Sequence, residues 1–168
     1  LMAGAAWEWG RLNGAGGGGS VAVGAVCVAL CAASWMSGLT SRALLPLWVG
    51  AGAFWVLGSA WLLRAGVAGW PRIPAAVRLV SGVLALWLAW LAVVQARAVG
   101  INFLLSVMTL VWMADIAAYF AGRTFGLRFT KNKLAPTISP GKSWEGVWGG
   151  VAGVLVLALA WVLADAHW

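Results

Sequence analysis

Polar residues are scarce along this chain, and they collect between long apolar runs that show no alternation of the kind a half-buried strand needs. Five runs have the length of about 20 residues that a membrane-spanning helix requires: 20–36, 43–63, 79–94, 101–121 and 144–163. Residues 1–7 read as the tail of a sixth helix, running into Trp7-Glu8-Trp9. The runs are too long, and too uniform in polarity, for spanning strands. The connections are short. Residues 14–19 are nearly all glycine and read as a flexible link. Gly69, Pro71 and Pro74 argue against helix over 66–74. The pattern predicts an all-α fold: a polytopic transmembrane helix bundle with five full spans plus the tail of a truncated N-terminal span. It reads as a single transmembrane domain over 1–168, without an internal repeat.

Composition supports this. The chain is 63% hydrophobic and 9% charged, against about a quarter charged in soluble domains. The net charge of +7 is therefore a matter of topology before it is one of partners, and with no basic domain or recognition motif, nucleic acid is not an expected partner. Of the eleven basic residues, Arg11, Arg64, Arg72, Arg78, Arg123, Arg128, Lys131, Lys133 and Lys142 fall on one side of the predicted membrane, and Arg42 and Arg97 on the other. The side richer in Lys and Arg is the cytoplasmic one. The loop 123–143 is thus expected in the cytoplasm and His167-Trp168 on the outer side. Arg64, Arg72 and Arg78 are explained by orientation and lipid head groups. Trp7, Trp9, Trp70, Trp144, Trp148, Trp161 and Trp168 fall near expected interfaces, where indoles sit well. Trp55 and Trp87 are mid-span packing or lipid-facing residues. Cys27 and Cys31 stand one helical turn apart and read as small apolar residues; the single histidine, His167, is far off, so no Cys/His metal site is expected. The start, Leu1 without a charged n-region or cleavage site, is not a signal peptide. Both ends look like cuts in a longer protein.

Chemistry concentrates between Asp115 and Gly150, which hold two of the four acids and five of the eleven bases. Asp115 lies within the fourth full span. An ionised aspartate at that depth costs about 2.5–3.5 kcal/mol on insertion scales. Tyr119 follows on the same helical face, which Met108, Trp112 and Gly122 continue. That stripe is expected to face protein or a wet cavity. Asp115 has two open readings, a site acid or an aspartate paired with Arg or Lys for assembly.

The following loop carries Arg123, Arg128, Lys131 and Lys133, then Ser139-Pro140-Gly141-Lys142-Ser143-Trp144-Glu145-Gly146. Ser139-Pro140 reads as an N-cap and first helical residue. A helix start of this kind attracts anions. Lys142 in the first turn opposes the helix dipole, a local cost that hints at an anionic ligand. Glu145 is expected to pair with Lys142 or to help hold a cation; a capped start with solvated charge is the simpler alternative. The string 136–143 nearly matches a phosphate loop, but Pro136 replaces the first glycine and no buried strand precedes it. Gly146/Gly150 and Gly149/Gly153 have the spacing that lets membrane helices approach closely.

Trp112-x-x-Asp115-x-x-Ala118-Tyr119-x-x-Gly122-Arg123-x-x-Gly126, followed by Lys133-Leu134-Ala135-Pro136-x-Ile138-Ser139-Pro140-Gly141-Lys142-Ser143-Trp144-Glu145-Gly146 and Gly149-Gly150, resembles the bacterial phosphatidate cytidylyltransferases (CDP-diacylglycerol synthases). Ala6-Trp7-Glu8-Trp9 looks like an early helix end of that family. The resemblance implies transfer of CMP from CTP to phosphatidate, giving CDP-diacylglycerol and pyrophosphate, with Mg²⁺. It implies a bacterial cytoplasmic (inner) membrane, with membrane lipids as partners and a homodimer as the candidate assembly. It implies phosphate-binding roles for Ser139, Lys142, Ser143, Arg123, Lys131 and Lys133, and catalytic roles for Asp115, Lys142 and Glu145. The family's Gly-His-Gly-Gly … Asp-Arg … Asp signature, expected to hold the metal ligands, is absent from the 168 residues. The chain therefore looks like the N-terminal and middle portion of such an enzyme, and it is expected to be inactive alone. Two other readings stay in view: a CTP-dependent polyprenol- or phytol-type lipid kinase, and a non-enzymatic transporter or structural membrane protein.

Overall fold

A computed structural model describes residues 1–136 and 138–165. It is built of α-helices: α1 (Met2–Leu12), α2 (Gly17–Met36), α3 (Leu45–Ala65), α4 (Ala75–Val99), α5 (Ile101–Phe125) and α6 (Trp144–Asp165). No strand forms among the described residues, and α2 to α6 are all long and apolar enough to cross a membrane. Their outward surfaces are apolar. Phe54, Trp55, Val56 and Leu57 on α3, and Leu155, Val156 and Leu159 on α6, are all exposed, while the buried hydrophobic residues are few and mostly small. Such a surface suits lipid and not water. The protein is an integral membrane protein.

The chain divides into two compact units, Leu1–Val99 and Gly100–Trp168. In the first, α1 packs on α2 through small residues. A Cβ at Gly10 would lie 3.0 Å from the Ser20 Cα, and one at Gly24 would lie 3.0 Å from the Ala3 carbonyl oxygen. Ala6, Cys27 and Val83 form a buried cluster with Met2, Val23, Leu30 and Leu86 against it. Cys27 and Cys31 are free and buried, as small apolar residues would be. Polar side chains then tie helices together. The Trp9 indole donates to the Arg78 carbonyl at 3.0 Å, and the Trp87 indole to the Ser34 hydroxyl at 2.9 Å. Gln95 accepts from the Trp48 indole at 3.0 Å and donates to the carbonyls of Leu39 and Arg42 at 3.3 and 3.0 Å.

Several boundaries differ from the sequence expectation. The glycine link is shorter than 14–19, because α2 already begins at Gly17. Buried Ser20 sets that start: its amide donates to Gly16 and its hydroxyl to Ala15, both at 2.9 Å. Residues 66–74 avoid α-helix but include a 3₁₀ stretch, Val67–Arg72. Helix α1 does not end at Trp7 but runs on to Leu12. Helix α4 exceeds the expected 79–94 at both ends, carrying Arg78 and Arg97 on its terminal turns. Long basic side chains there can reach the interface while their stems stay in apolar surroundings. Arg78 also lies over the Trp70 ring, 5.6 Å from its centroid. His167 and Trp168 lie outside the described residues.

Candidate functional site

In the second unit α5 and α6 form a close antiparallel pair. Gly146 and Gly150 face the Ala118 and Ala114 carbonyls, and an added Cβ would lie 3.0 and 3.1 Å from those oxygens. Gly149 and Gly153 face the methyls of Ala121 and Ala117. The glycine spacing therefore does what the sequence suggested. Its counterpart, the alanine face of α5 over 114–121, went unread because alanines in an apolar run carry no signal of their own. A shallow groove of about 360 Å³ follows this seam past Ala114, Ala118 and Gly150. Its lining is apolar and offers no chemistry.

The loop between the helices opens at Leu127, a non-glycine residue in the left-handed region with φ 63°. The Arg128 amide donates back to Phe125 at 2.9 Å, and the Arg128 guanidinium stacks over the Phe125 ring at 5.8 Å. Further on, a tight turn closes over Ala135 and Ser139. The Ser139 amide donates to Ala135 at 2.8 Å, Lys142 to Ser139 at 3.1 Å, and Leu134 to the Lys142 carbonyl at 3.3 Å.

That turn corrects the reading of the helix start. Ser139-Pro140 is not the cap of α6, because its backbone is already committed to the turn. Ser143 is the cap: its hydroxyl accepts the Gly146 amide at 3.2 Å, and α6 begins at Trp144. Lys142 accordingly stands one residue before the cap, outside the first turn in which the sequence placed it. It is exposed, as are Arg123, Arg128, Lys131 and Lys133. No acid occurs over 116–144, so five cations share one stretch of chain, and the one carboxylate tied to it, that of Glu145, is taken up by loop amides and a hydroxyl.

Glu145 is only 7% exposed. It does not pair with Lys142. Its Oε1 accepts the Phe129 amide at 3.1 Å, the Thr130 amide at 2.7 Å and the Thr130 hydroxyl at 2.8 Å, and its Oε2 is buried without a partner. As the second residue of α6, it places its charge where the helix dipole favours an anion. Thr130 escaped the sequence reading; a threonine beside Lys131 gives no hint of a partner 15 residues ahead.

Asp115 and Glu145 are not brought together. Gly122 meets the Ser143 hydroxyl and Gly146, and Asp115 is seven residues deeper along α5, about 10 Å at 1.5 Å per residue. Asp115, Trp112 and Tyr119 are exposed, so the expected polar stripe is not covered by α6. Gly122, assigned to the same stripe, belongs instead to the face packed on α6. The Arg123 guanidinium donates to the Tyr119 hydroxyl at 2.9 Å.

Mg²⁺ prefers a rigid set of oxygen ligands, usually one or two carboxylates with phosphates and water. Among the described residues no group of three metal-ligating side chains gathers. Glu145 Oε1 is saturated by hydrogen-bond donors, leaving Oε2 alone. By themselves these residues offer a Mg²⁺ ion a single free carboxylate oxygen at the loop, Glu145 Oε2, and the rest of its ligands would have to come from elsewhere.

The arrangement defines a class: an integral membrane protein that displays an acid-free basic loop, tied to a capped helix start, at one end of a close helix pair. Such a surface suits a polyanionic ligand. Residues 1–167 match the sequence family described as the Cytidylyltransferase family, and the chain belongs to that family. It is 40% identical over 156 residues to a phosphatidate cytidylyltransferase of Pseudomonas aeruginosa, covering 88% of this chain and 53% of that protein. It is 57% identical over 63 residues to the phosphatidate cytidylyltransferase of Haemophilus influenzae, covering 38% of this chain and 20% of that protein. A third, from Staphylococcus epidermidis, is 36% identical over 74 residues, 44% of this chain and 27% of the relative. The chain thus spans about half the length of the Pseudomonas relative. No solved structure matches it.

Proposed function

We propose that the protein transfers CMP from CTP to phosphatidate in a bacterial inner membrane, with the loop 123–143 facing the cytoplasm and 1–168 forming one part of the transmembrane catalytic domain. A phosphatidate phosphate oxygen attacks the α-phosphorus of CTP. The new O–P bond forms as the bond from the α-phosphorus to the β-phosphate oxygen breaks, and pyrophosphate carries the electron pair away. The observation that carries this reading is the acid-free cluster of Arg123, Arg128, Lys131, Lys133 and Lys142, exposed at the mouth of the α5–α6 pair, in a chain whose relatives bear the name of that activity.

In this reading the five cations neutralise the triphosphate and the lipid phosphate, and the half-buried Ser139 turn sets the position of Lys142. Ser143 acts mainly by capping α6. Asp115 stands exposed on the flank of α5 below the loop. Mg²⁺, which neutralises phosphate charge when bound, is held by groups these residues do not supply. A homodimer remains the assembly to test.

The test uses membranes containing the protein expressed from its whole reading frame, given phosphatidate and CTP labelled at the α- or the γ-phosphorus. Label from the α-position is expected in the lipid product and label from the γ-position in pyrophosphate. Transfer of the γ-label to lipid means a kinase and overturns the proposal, as does failure of either label to move. Replacing Lys142 with Ala removes one charge-assisted contact and is expected to raise KM for CTP about tenfold.

A further inference from the structure

Three hydrogen bonds converge on a single oxygen of Glu145, and all three come from the loop: two consecutive backbone amides, of Phe129 and Thr130, and the Thr130 hydroxyl. An oxygen so occupied has little capacity left to take a proton from a substrate. The carboxylate is also more than nine-tenths buried, with its bonded oxygen taken up by loop backbone and Thr130. What the three bonds do achieve is mechanical. They join residues 15 and 16 positions apart, and they grip the loop between Arg128 and Lys131. Leu127, with its left-handed backbone, turns the chain so that the two amides point at α6. Without this tie, the stretch that carries Arg128, Lys131 and Lys133 is held, among the described residues, by the turn at its far end, by its exit from α5 and by the Phe129 ring beside that of Phe125.

We propose that Glu145 and Thr130 form a latch that positions the basic loop, so that Glu145 serves the substrate only through the cations it holds in place. Glu145 is then a positioning residue and not a catalytic acid, and Thr130 is its partner. The proposal rests on the cytidylyl-transfer reading for its substrate but not for its geometry.

The experiment compares Glu145→Gln, Glu145→Ala, Thr130→Val and the double variant Glu145→Ala/Thr130→Val with the unaltered protein. The glutamine carbonyl oxygen can accept the same three donors. Glu145→Gln is therefore expected to keep both kcat and KM for CTP within about threefold, while Glu145→Ala raises KM about tenfold or more and lowers kcat less. Thr130→Val removes one of the three bonds and is expected to raise KM about threefold. The double variant should be no worse than Glu145→Ala, because both changes open the same tie. A Glu145→Gln protein as impaired as Glu145→Ala, with its loop still as resistant to trypsin as the wild type's, would overturn the latch, since the negative charge would then be needed apart from the tie. Fully multiplicative effects of Thr130→Val and Glu145→Ala would overturn it too.

A second readout does not depend on activity. Trypsin cleavage after Arg128, Lys131 and Lys133 in detergent micelles is expected to quicken in Glu145→Ala and Thr130→Val but not in Glu145→Gln. Unchanged cleavage in all variants refutes the latch even if the enzyme is active. A wild-type protein that moves no label from CTP refutes the proposed function, while the cleavage pattern still decides the latch.

Discussion

Gly149→Ala is the sharpest probe of how α5 and α6 meet. A Cβ at this position would overlap the Ala121 methyl and stand 3.2 Å from the Ala117 carbonyl oxygen. Methyl carbons prefer a separation of about 3.5–4.0 Å, and the Ala121 methyl cannot swing aside, because it is bonded directly to the helix backbone. The helices must part locally. A gap of about 0.5–1 Å forfeits a quarter to a half of each contact's attraction, so about 40 atom pairs at about 0.15 kcal/mol lose about 1.5–3 kcal/mol. Replacing a helical glycine with alanine returns about 0.5–1 kcal/mol. The net loss is about 0.5–2.5 kcal/mol, read as a shifted midpoint when the chain is unfolded in mixed micelles of dodecyl maltoside and SDS. Adding Ala121→Gly to the same chain removes the obstructing methyl and is expected to recover most of the loss. Gly4→Ala, whose new Cβ meets nothing within 4 Å, is the control for helix propensity alone. A Gly149→Ala chain as stable as the wild type, or a double variant no better than the single one, would show that the helices do not meet at these positions.

Other outcomes follow from the hydrogen bonds. Ser143→Ala strips the cap from α6 at a cost of about 1 kcal/mol, and the Gly146 amide, which loses its acceptor, should exchange its hydrogen faster. Gln95→Leu removes three bonds. At about 0.6 kcal/mol for each bond within a membrane, the loss is about 2 kcal/mol, measurable in the same micelle titration and as a shift of the Trp48 indole proton. If Trp48→Phe combined with Gln95→Leu costs more than Gln95→Leu alone by a full bond, the indole has another acceptor and this account of the turn is wrong.

The spans were legible because hydropathy alone decides them. Ile101 and Trp144 begin helices where expected, each after a polar or glycine break. The ends of α4 were not, because a hydropathy run stops at a charge whereas a helix whose arginines reach the interface does not. At the start of α6, Ser139-Pro140 had the credentials of a cap, and Ser143 was not read as one. Only the loop's own bonds, from Ser139 to Ala135 and from Lys142 to Ser139, decide that Ser143 caps the helix. Glu145 stood out as an acid in a basic neighbourhood. Its bond to Thr130 depends on how Leu127 turns the chain, and no periodicity encodes that. Asp115 was visible as a misplaced charge, but which flank of α5 it occupies depends on Ala114, Ala117, Ala118 and Ala121, whose importance appears only when α6 lies against them.

Gln95 satisfies carbonyls of Leu39 and Arg42 that precede it by 56 and 53 residues. During synthesis those carbonyls and the Trp48 indole leave the ribosome well before their partner exists. At about 5–20 residues per second, the connection from α2 to α3 waits on the order of 3–10 seconds with polar groups that only water, lipid head groups or the insertion machinery can serve. Final seating of that turn is therefore an event of α4 insertion. A chain interrupted between Ala65 and Gln95 would leave the Leu39 and Arg42 carbonyls and the Trp48 indole without the partner they have in the finished protein.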